Sequence, residues 1–186
     1  EAEVLSRRAL EGSERVLGVD HSDTLDSVDN LASLLRNQGK LEEAEPLLRR
    51  VLEERERVLG IDHPNTLSSI NNLGLLLQDQ GKLKEAEPLL RRALEGRERV
   101  LGVDNPNTLG SVNNLGSLLK KLNKLDEAAT MLLRSSEGQS RILGADHPNA
   151  LNARGNLGLL LMKRGDESGE RMVRDVLSSL LSPPHS

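Results

Sequence analysis

The sequence predicts an all-α protein, an α-solenoid in which short helices stack as a repeat array. The first observation is a phrase that occurs four times, as LGVDHSDTLDSVDNL from Leu17, LGIDHPNTLSSINNL from Leu59, LGVDNPNTLGSVNNL from Leu101 and LGADHPNALNARGNL from Leu143. Each copy starts 42 residues after the previous one. A fixed period of this length is typical of repeat proteins, whose units bury their apolar faces against their neighbours. The second observation is the helical spacing of aliphatic residues within each unit.

The first helix of each unit is predicted to begin at the end of the turn in this phrase. In the second repeat one helical face carries Leu67, Ile70, Leu73, Gly74 and Leu77. Steps of three and four residues keep these side chains together, since each residue turns a helix by about 100°. His63 and Pro64 precede them, and Pro is favoured at the first helical position. We expect this helix to end at Gln80 and Gly81.

The second helix of the unit is predicted from LKEAEPLLRRALEGRERVLG, which starts at Leu83. Its inward stripe consists of Leu83, Ala86, Leu90, Ala93, Leu94 and Leu101. Gly102 follows, and Gly18, Gly60 and Gly144 hold the same place in the other units. We expect these glycines to form left-handed C-terminal caps.

The period divides the chain into a single array over 1–181. We assign a half repeat at 1–18, repeats at 19–60, 61–102 and 103–144, a degenerate last repeat at 145–181 and a tail at 182–186. The opening EAEVLSRRAL matches residues 43–52 and 85–94, so we expect a fragment of a longer array. In the last repeat Arg154 falls on a core position, Gly169 lies near an expected Ala, and the alignment needs a one-residue deletion.

Composition excludes several classes of function. The chain has 29 acidic and 25 basic residues, a formal net charge of −4, and no Cys, Phe, Trp or Tyr. The core must therefore be aliphatic, and thiolate metal sites and disulfides are excluded. The charges are interleaved and no aromatic can stack on a base, so we expect no nucleic-acid partner. No apolar run is long enough to span a membrane, and we expect a soluble, cytoplasmic protein.

The sequence indicates no enzyme, cofactor or metal site. His21, His63 and His147 occur once per repeat in the turn, and His185 lies in the tail. Copies 42 residues apart cannot converge on one metal ion or nucleophile, so helix capping is the expected role of the turn histidines. Gly81 and Lys82 do not make a phosphate loop, because six residues instead of four separate Gly74 from Gly81, and Leu83 stands where Ser or Thr should be.

A charged strip follows the outer face of the second helices. It reads Glu3, Arg7, Glu11 and Arg15, then Glu45, Arg49, Glu53 and Arg57, then Glu87, Arg91, Glu95 and Arg99. We interpret it as a solvated face with pairs four residues apart, although a binding strip is an alternative. In the third repeat Leu133 replaces the arginine, either as a covered residue or as a singly exposed leucine.

One pattern extends from Asn72 to Leu94 and resembles the tetratricopeptide repeat. It consists of N-L-G, six further residues, G-K-x-x-E-A and then A-L. The 42-residue period with LGxDHPxT, NNL and EAEPLLRRAL resembles the kinesin light chain and nephrocystin-3 type. The resemblance implies antiparallel helix pairs in a right-handed superhelix. WD40 blades would need a Trp-Asp signature, and HEAT and armadillo units lack the G-x-x-x-E-A junction.

The resemblance also implies a concave groove, lined by the first helices, for an extended peptide or a partner helix. Asparagines recur on that stripe as Asn30, Asn72, Asn114 and Asn156, with Asn71 and Asn113 before two of them. One turn further on it carries Arg36, Leu75, Lys120, Lys121 and Lys163. Asparagine amides can bond any peptide backbone, and the balance of charge is basic. We predict a protein partner with acidic residues around an apolar anchor, like the cargo motifs of the resembled family.

Three alternatives stay open at this point. The asparagines can instead bridge neighbouring helices or face water. The array can be a structural module that packs against itself or against another part of its own chain, with Leu133 and the unpaired first helix at the interface. The expected state is a monomer or a weak self-association. It can also be the recognition end of a larger signalling ATPase. The leading interpretation is a non-catalytic scaffold, plausibly of the cargo-adaptor type.

Overall fold

The structure is a computed structural model and describes residues 2–181, so the predicted tail at 182–186 with His185 lies outside the described residues. Over residues 2–181 the chain forms nine α-helices and no strand. They are α1 (Ala2–Leu17), α2 (Ser22–Asn37), α3 (Leu41–Leu59), α4 (Pro64–Asp79), α5 (Leu83–Leu101), α6 (Pro106–Lys121), α7 (Leu125–Leu143), α8 (Pro148–Lys163) and α9 (Glu167–Leu181). The all-α prediction is confirmed, and the predicted boundaries in the second repeat agree with the observed ones to within a residue.

Each first helix begins at a side-chain cap. His63 has extended backbone angles (φ −66°, ψ 139°), and its Nδ1 accepts a hydrogen bond from the Asn65 N–H at 3.2 Å. The same bond recurs with three other caps, His21, Asn105 and His147. A cap of this kind satisfies one of the N–H groups that the first turn leaves without an intrahelical acceptor. The predicted capping role of the turn histidines is confirmed.

The first helix of a unit ends in a Schellman motif. Gly81 has φ 77°, its N–H donates to the Gln78 carbonyl at 3.2 Å, and the Lys82 N–H donates to the Leu77 carbonyl at 2.8 Å. This pair of bonds requires a positive φ, which glycine adopts without steric cost. In the third repeat Asn123 takes the same place with φ 60°.

The second helix ends differently, and here the predicted left-handed cap is wrong. Gly60 and Gly144 have φ 89° and 93°, but their ψ angles are 165° and 153° instead of the roughly 47° of the left-handed helix. The positive φ was predicted correctly. The extended ψ sends the chain away from the helix axis into the turn, where the His63 N–H donates to the Gly60 carbonyl at 3.4 Å.

The packing divides the chain into two compact units, the first ending at Gly96 and the second beginning at Arg97, and each is described by itself. The first unit holds α1 to α4 and most of α5; the second holds α6 to α9. The single array over 1–181 stays a prediction.

In the first unit each helix packs on the next, α1 on α2, α2 on α3 and α3 on α4. The buried side chains Leu67, Ile70 and Ala93 form a cluster against which Leu52 and Leu89 pack. Two glycines bring the helices of the second repeat close together: Gly74 faces Leu90, and Gly96 faces Leu67. A Cβ at Gly74 would lie 2.7 Å from Leu90 Cδ2, so a larger residue there would displace the Leu90 side chain.

The second unit repeats this packing and ends in a modified version of it. Gly116 receives Leu132 as Gly74 receives Leu90, and in the last pair Gly158 receives Val173. The partner thus lies 15 residues after Gly158 instead of 16 after Gly116, which agrees with the predicted one-residue deletion. Arg154, predicted on a core position, is half-buried.

Gly169 explains why the last repeat departs from the others. A Cβ at Gly169 would lie 2.5 Å from the Gly158 carbonyl oxygen and 2.6 Å from the Met162 nitrogen. These are backbone atoms that cannot rotate away, so α8 and α9 meet backbone to backbone. This helix contact therefore requires glycine at position 169, where the repeat pattern predicts an alanine.

Within residues 2–181, no helix is long and apolar enough to cross a membrane. The predicted cytoplasmic location stays a prediction.

The histidine cap can be tested at His63. His63→Ala removes the acceptor for the Asn65 N–H and should lower the free energy of unfolding by about 1 kcal/mol in urea titration. His63→Asn should stay close to wild type, because Asn105 caps α6 in the same way. Equal losses in both variants would contradict a role for the side-chain acceptor.

The backbone contact of the last pair can be tested at Gly169. Gly169→Ala should lower the free energy of unfolding by about 1–3 kcal/mol, because the new methyl group meets fixed backbone atoms. Gly110→Ala in α6 is the control, since its Cβ meets nothing within 4 Å, and it should stabilise the protein by about 0.5–1 kcal/mol. Thermal unfolding of both variants measures the difference, and a Gly169→Ala protein as stable as wild type would refute the contact.

Candidate functional site

The predicted binding residues are distributed over four first helices. In the first unit lie Asn30 and Arg36 of α2 and Asn71, Asn72 and Leu75 of α4. In the second unit lie Asn113, Asn114, Lys120 and Lys121 of α6 and Asn156 and Lys163 of α8. Asn71 and Asn113 are only 6% and 8% exposed, so their side chains cannot reach a partner freely. The other members are half-buried or exposed.

The first unit has a polar depression of about 360 Å³ between α2 and α4. Its lining consists of Asp26, Asp29, Asn30, Ser33, Arg55, Asn65, Ser68 and Asn72. Arg55 lies at its base with 3% exposure. The guanidinium donates to the carboxylates of Asp26 and Asp29 and to Ser69 Oγ at 2.7 Å. The buried arginine is tolerated because both terminal nitrogens of its guanidinium group donate to hydrogen-bond acceptors.

Asp29 is the most strongly buried carboxylate of this depression. Burial raises the pKa of Asp29, and the attraction of Arg55 and a hydrogen bond from Asn72 oppose that rise. Asn72, a predicted peptide-binding residue, therefore also holds a carboxylate of its own chain. Asp26, Asp29 and Arg55 were missed by the sequence analysis. The sequence feature that could have identified them is an arginine on the inward side of α3, opposite the two aspartates of α2.

A salt bridge closes the far end of the predicted stripe in the first unit. Arg36 Nε lies 2.6 Å from Asp79 Oδ2, which joins the last turns of α2 and α4. Both side chains are about one-third exposed. The positive charge predicted to meet an acidic partner at Arg36 is thus balanced within the unit.

In the second unit an amide network joins α6 to α8. Asn113 Nδ2 donates to Asn152 Oδ1 at 3.1 Å, and Asn156 Nδ2 donates to Asn113 Oδ1 at 3.0 Å and to Asn152 Oδ1 at 3.2 Å. Asn113 and Asn156 therefore bridge neighbouring helices, as the alternative interpretation stated. Their predicted contact with a peptide stays a prediction. Asn152 has no asparagine counterpart in the other repeats, so the period did not point to it.

Arg97 lies in a polar depression of about 220 Å³ in the second unit. The lining consists of Arg97, Pro106, Asn107, Gly110, Asn113, Asn114, Gln139, Asn149 and Asn152. Arg97 Nη1 donates to Ser111 Oγ at 2.7 Å and to the Asn107 carbonyl at 3.2 Å. Burial lowers the pKa of Arg97. Within this lining, all of it in the described part of the chain, Arg97 is the one charged residue.

Three lysines lie close together at the ends of α6 and α8. Burial lowers the pKa of Lys120, and the like charges of Lys121 and Lys163 lower it further. Lys163 Nζ donates to Asn123 Oδ1 at 3.4 Å. Like charges at short range cost free energy unless an anion screens them. We refer to Lys120, Lys121 and Lys163 as the lysine cluster.

The charged strip is only partly the solvated face that the sequence predicted. The pairs four residues apart form in the first half of each helix, as in Arg49 to Glu45 at 2.7 Å. The side chain of Glu45 is only 17% exposed, however, and Lys82 contacts it at 2.8 Å. Later in the helix, Arg57 pairs with Glu54 at 2.7 Å and Asp20 at 3.0 Å. The strip therefore contacts the turns that hold Lys82 and Asp20, and Arg7 of α1 pairs with Glu43 of α3 at 2.8 Å.

Leu133 is 47% exposed in α7. It lines a shallow depression of about 490 Å³ together with Thr130, Arg134, Glu137 and Arg141. Both arginines beside it are paired, since Arg134 lies 2.6 Å from Glu98 and Arg141 lies 2.6 Å from Asp104. Leu133 is thus an exposed apolar residue beside two salt bridges. Across residues 2–181 no group of three or more His, Cys, Asp or Glu side chains is arranged to hold a metal ion.

Comparison with known proteins agrees with this architecture. Two family models described as tetratricopeptide repeat match the chain, one at residues 25–99, 68–137 and 107–168 and the other at residues 1–23. No curated protein matches the sequence significantly.

Solved structures with this fold include three that cover nearly the whole chain. A protein of Podosopora anserina described as a kinesin light chain with nearly identical TPR-like repeats is 23% identical, with a TM-score of 0.75, and covers 100% of this chain and 88% of its own. BtubC (BKLC) from P. vanneervenii is 20% identical, with a TM-score of 0.79, over 99% and 75% of the two chains. MamA from Desulfovibrio magneticus RS-1 is 14% identical, with a TM-score of 0.62, over 98% and 97%. These identities support the fold alone.

The chain belongs to the tetratricopeptide repeat family, whose fold is typically a non-catalytic scaffold for protein interaction. Its structural neighbours are kinesin light chain-like repeat proteins, and the predicted α-solenoid of tetratricopeptide type is confirmed.

The Glu45 network predicts a specific response to acid. Hydrogen bonds from Lys82, and then from Gln80 and Arg49, lower the pKa of Glu45 to about 2 from an ordinary value of 4.5. The folded state therefore releases this proton more readily than the unfolded state does. The resulting stabilisation is complete above about pH 4.5 and is lost as the pH falls towards about 2.

Glu45→Gln measures that contribution. Urea titrations between pH 6 and pH 2.5 should show about 1 kcal/mol less acid sensitivity in the variant, a value reduced by solvent screening. Lys82→Met should reproduce part of the effect, because Lys82 is the largest cause of the lowered pKa. If the free energy of unfolding depends on pH in the same way in wild type and in Glu45→Gln, the proposed contribution of the Glu45 carboxylate is contradicted.

Proposed function

We propose that this protein is a non-catalytic scaffold that binds a peptide segment of a partner protein, and that the lysine cluster of the second unit binds acidic residues of that segment. The observation that carries the proposal is the placement of Lys163, whose Nζ donates to Asn123 Oδ1 at 3.4 Å, beside the last turn of α6 with Lys120 and Lys121. The like charges of Lys121 and Lys163 lower the pKa of Lys120, and a bound carboxylate would offset that repulsion. The cluster therefore favours an acidic partner.

Comparison with the first unit supports this proposal. Arg36 and Asp79 form a closed salt bridge between the last turns of α2 and α4. The equivalent residues of α6 and α8, each 84 positions later, are Lys120 and Lys163. A partner that brings in a carboxylate would supply in the second unit what Asp79 supplies in the first.

The Arg97 depression adds a second point of attachment. The exposed amide side chains of Asn107, Asn149 and Asn152 can donate to a backbone carbonyl or accept from a backbone N–H, whatever the sequence of the peptide. We therefore expect main-chain contacts here and charge selection at the lysine cluster, with the asparagines as the sequence-independent part of the site.

A cargo or adaptor role follows as a further part of the proposal. The neighbours with this fold include a protein described as a kinesin light chain. The identities are too low to transfer a partner, so the resemblance and the basic surface together are what support an acidic cargo segment. Leu75 offers an apolar contact in the first unit, as a half-buried side chain on α4.

The test is a random-peptide display selection followed by fluorescence anisotropy on enriched peptides. Lys163→Asp places a carboxylate where the first unit has Asp79, so it should pair with Lys120 and weaken binding of an acidic peptide by about tenfold or more at low salt. Lys84→Asp, on the exposed side of α5, makes the same charge change outside the site and should bind like wild type. Both proteins should give the same circular dichroism spectrum.

Two results would overturn the proposal. If wild type enriches no peptide, the scaffold does not bind extended segments through this surface. If wild type and Lys163→Asp enrich the same acidic peptides with equal affinity, the lysine cluster is not the site.

A further inference from the structure

Within residues 2–181, three of the four first helices begin at a cap whose acceptor is an imidazole nitrogen. The N–H of the second residue after each cap donates to Nδ1 of His21 at 3.2 Å, of His63 at 3.2 Å and of His147 at 3.1 Å. The fourth helix, α6, begins at Asn105, whose Oδ1 accepts from the Asn107 N–H at 2.9 Å. All four caps have extended backbone angles, so the chemistry of the acceptor is what distinguishes them.

An imidazole acceptor exists in only one protonation state. A ring nitrogen accepts a hydrogen bond while it carries no proton, so these caps require the neutral ring with its proton on Nε2. Protonation of Nδ1 turns the acceptor into a donor that faces the donor N–H of the helix. It also places a cation at the positive end of the helix dipole, where a cation is unfavourable. An asparagine oxygen has no second protonation state in this pH range.

The cap of α2 has a carboxylate close to the ring. Asp23 Oδ2 lies 3.9 Å from His21 Nδ1. A negative charge at this distance attracts the protonated ring and offsets part of the loss of the cap. The cationic groups that α3 directs at this turn are Arg50, which donates to the Val19 carbonyl at 3.4 Å, and Arg57, which pairs with Asp20 at 3.0 Å.

The caps of α4 and α8 lack this compensation. Their first turns contain no acidic residue, and within residues 2–181 neither His63 nor His147 forms an ion pair with a carboxylate. Asn65 and Asn149 take the place of Asp23. The charged groups around these two turns are Asp62 and Asp146, which precede the histidines in sequence, Arg55, which donates to the Asn65 carbonyl at 3.4 Å, and Arg92, which pairs with Glu56 at 2.6 Å.

Both of these caps hold a residue that lines a polar depression. Asn65 lines the depression of the first unit, and its N–H is the donor to His63. Asn149 lines the Arg97 depression of the second unit, and its N–H is the donor to His147. A change in either cap therefore acts directly on the wall of a depression.

Histidine is the side chain whose charge ordinarily changes between pH 8 and pH 5. The capping bonds are exposed, so protons reach the rings without unfolding. We propose that His63 and His147 make the first turns of α4 and α8 acid-labile, so that acid loosens one wall of each polar depression while the Asn105 cap holds α6. The folded state keeps these rings neutral and the unfolded chain binds more protons, so stability falls as the pH drops through this range. The proposal concerns the fold and is independent of peptide binding.

Nitrogen-15 NMR of wild type tests the protonation state directly. At pH 7.5 the rings of His63 and His147 should carry the proton on Nε2 and a bare Nδ1. As the pH is lowered to 5.0, the backbone amide signals of Asn65 and Asn149 should shift with the titration of the rings, and that of Asn107 should stay in place. Rings protonated on Nδ1 at pH 7.5, or the same response in all three amides, would overturn the proposal.

Thermal unfolding of a variant that combines His63→Asn and His147→Asn measures the effect on stability. Asparagine keeps the cap, as Asn105 shows in α6, but does not titrate. When the pH falls from 7.5 to 5.0, the thermal midpoint of wild type should drop by about 4–8 °C more than that of the variant, about 2–4 °C for each cap. Burial raises the pKa of Asp29, but Asp29 is present in both proteins, so its titration cancels.

His21→Asn is the matched control. It should reduce the acid response less than His63→Asn alone, because Asp23 lies beside the protonated His21 ring. Wild type and the double variant losing the same number of degrees between pH 7.5 and pH 5.0 would refute acid-labile caps.

Discussion

The rest of the structure depends on the close approach of the two helices within a repeat. At this contact a glycine of one helix packs against an aliphatic side chain of the other. Gly74 with Leu90 and Gly116 with Leu132 show it in the two units. A core without aromatic residues has only small and medium-sized aliphatic side chains, such as Ala, Val, Ile and Leu, with which to fill its volume. Such a core reaches native packing density when the helix backbones come close, and glycine permits this.

The repeated helix pairs provide the scaffold, and substitutions at equivalent positions give each repeat a different surface chemistry. One position of the second helices reads Arg55, Arg97, Gln139 and Leu180 in successive repeats. Arg55 is bonded to two aspartates, while Arg97 contacts a hydroxyl and a carbonyl within the second unit. Leu180 is exposed. The same backbone position thus changes from an ion pair to a polar site and finally to an apolar surface, because a solenoid tolerates a substitution wherever its immediate neighbours accept it.

The second unit carries two surfaces of opposite character. The lysine cluster lies at the last turns of α6 and α8, and an apolar depression that includes Leu159 and Leu180 lies on α8 and α9. A charged surface selects partners by long-range attraction that salt weakens, whereas an apolar surface binds by burial that salt hardly affects. One helix, α8, takes part in both surfaces.

The sequence by itself determined the period, the helix boundaries and the caps at the start of the first helices. His63, Pro64 and Gly81 could be interpreted correctly because caps and turns depend on a few consecutive residues. The Asn ladder shows the limit of such reasoning. Its spacing was visible in the sequence, but the burial of Asn71 and Asn113 and the bonds between Asn113 and Asn156 depend on which helix lies opposite.

Only the tertiary structure decided which recurring residues face a neighbouring helix and which face solvent. Arg55 has ordinary flanking residues in sequence, and its aspartate partners lie 26 and 29 positions earlier on another helix. Gly169 looked like a worn position until a backbone oxygen and nitrogen were found beside it. Local signals specify where a helix begins and ends, because they act within one turn. Contacts between helices depend on interaxial distance and rotation, and the packing of all side chains in the interface sets those together.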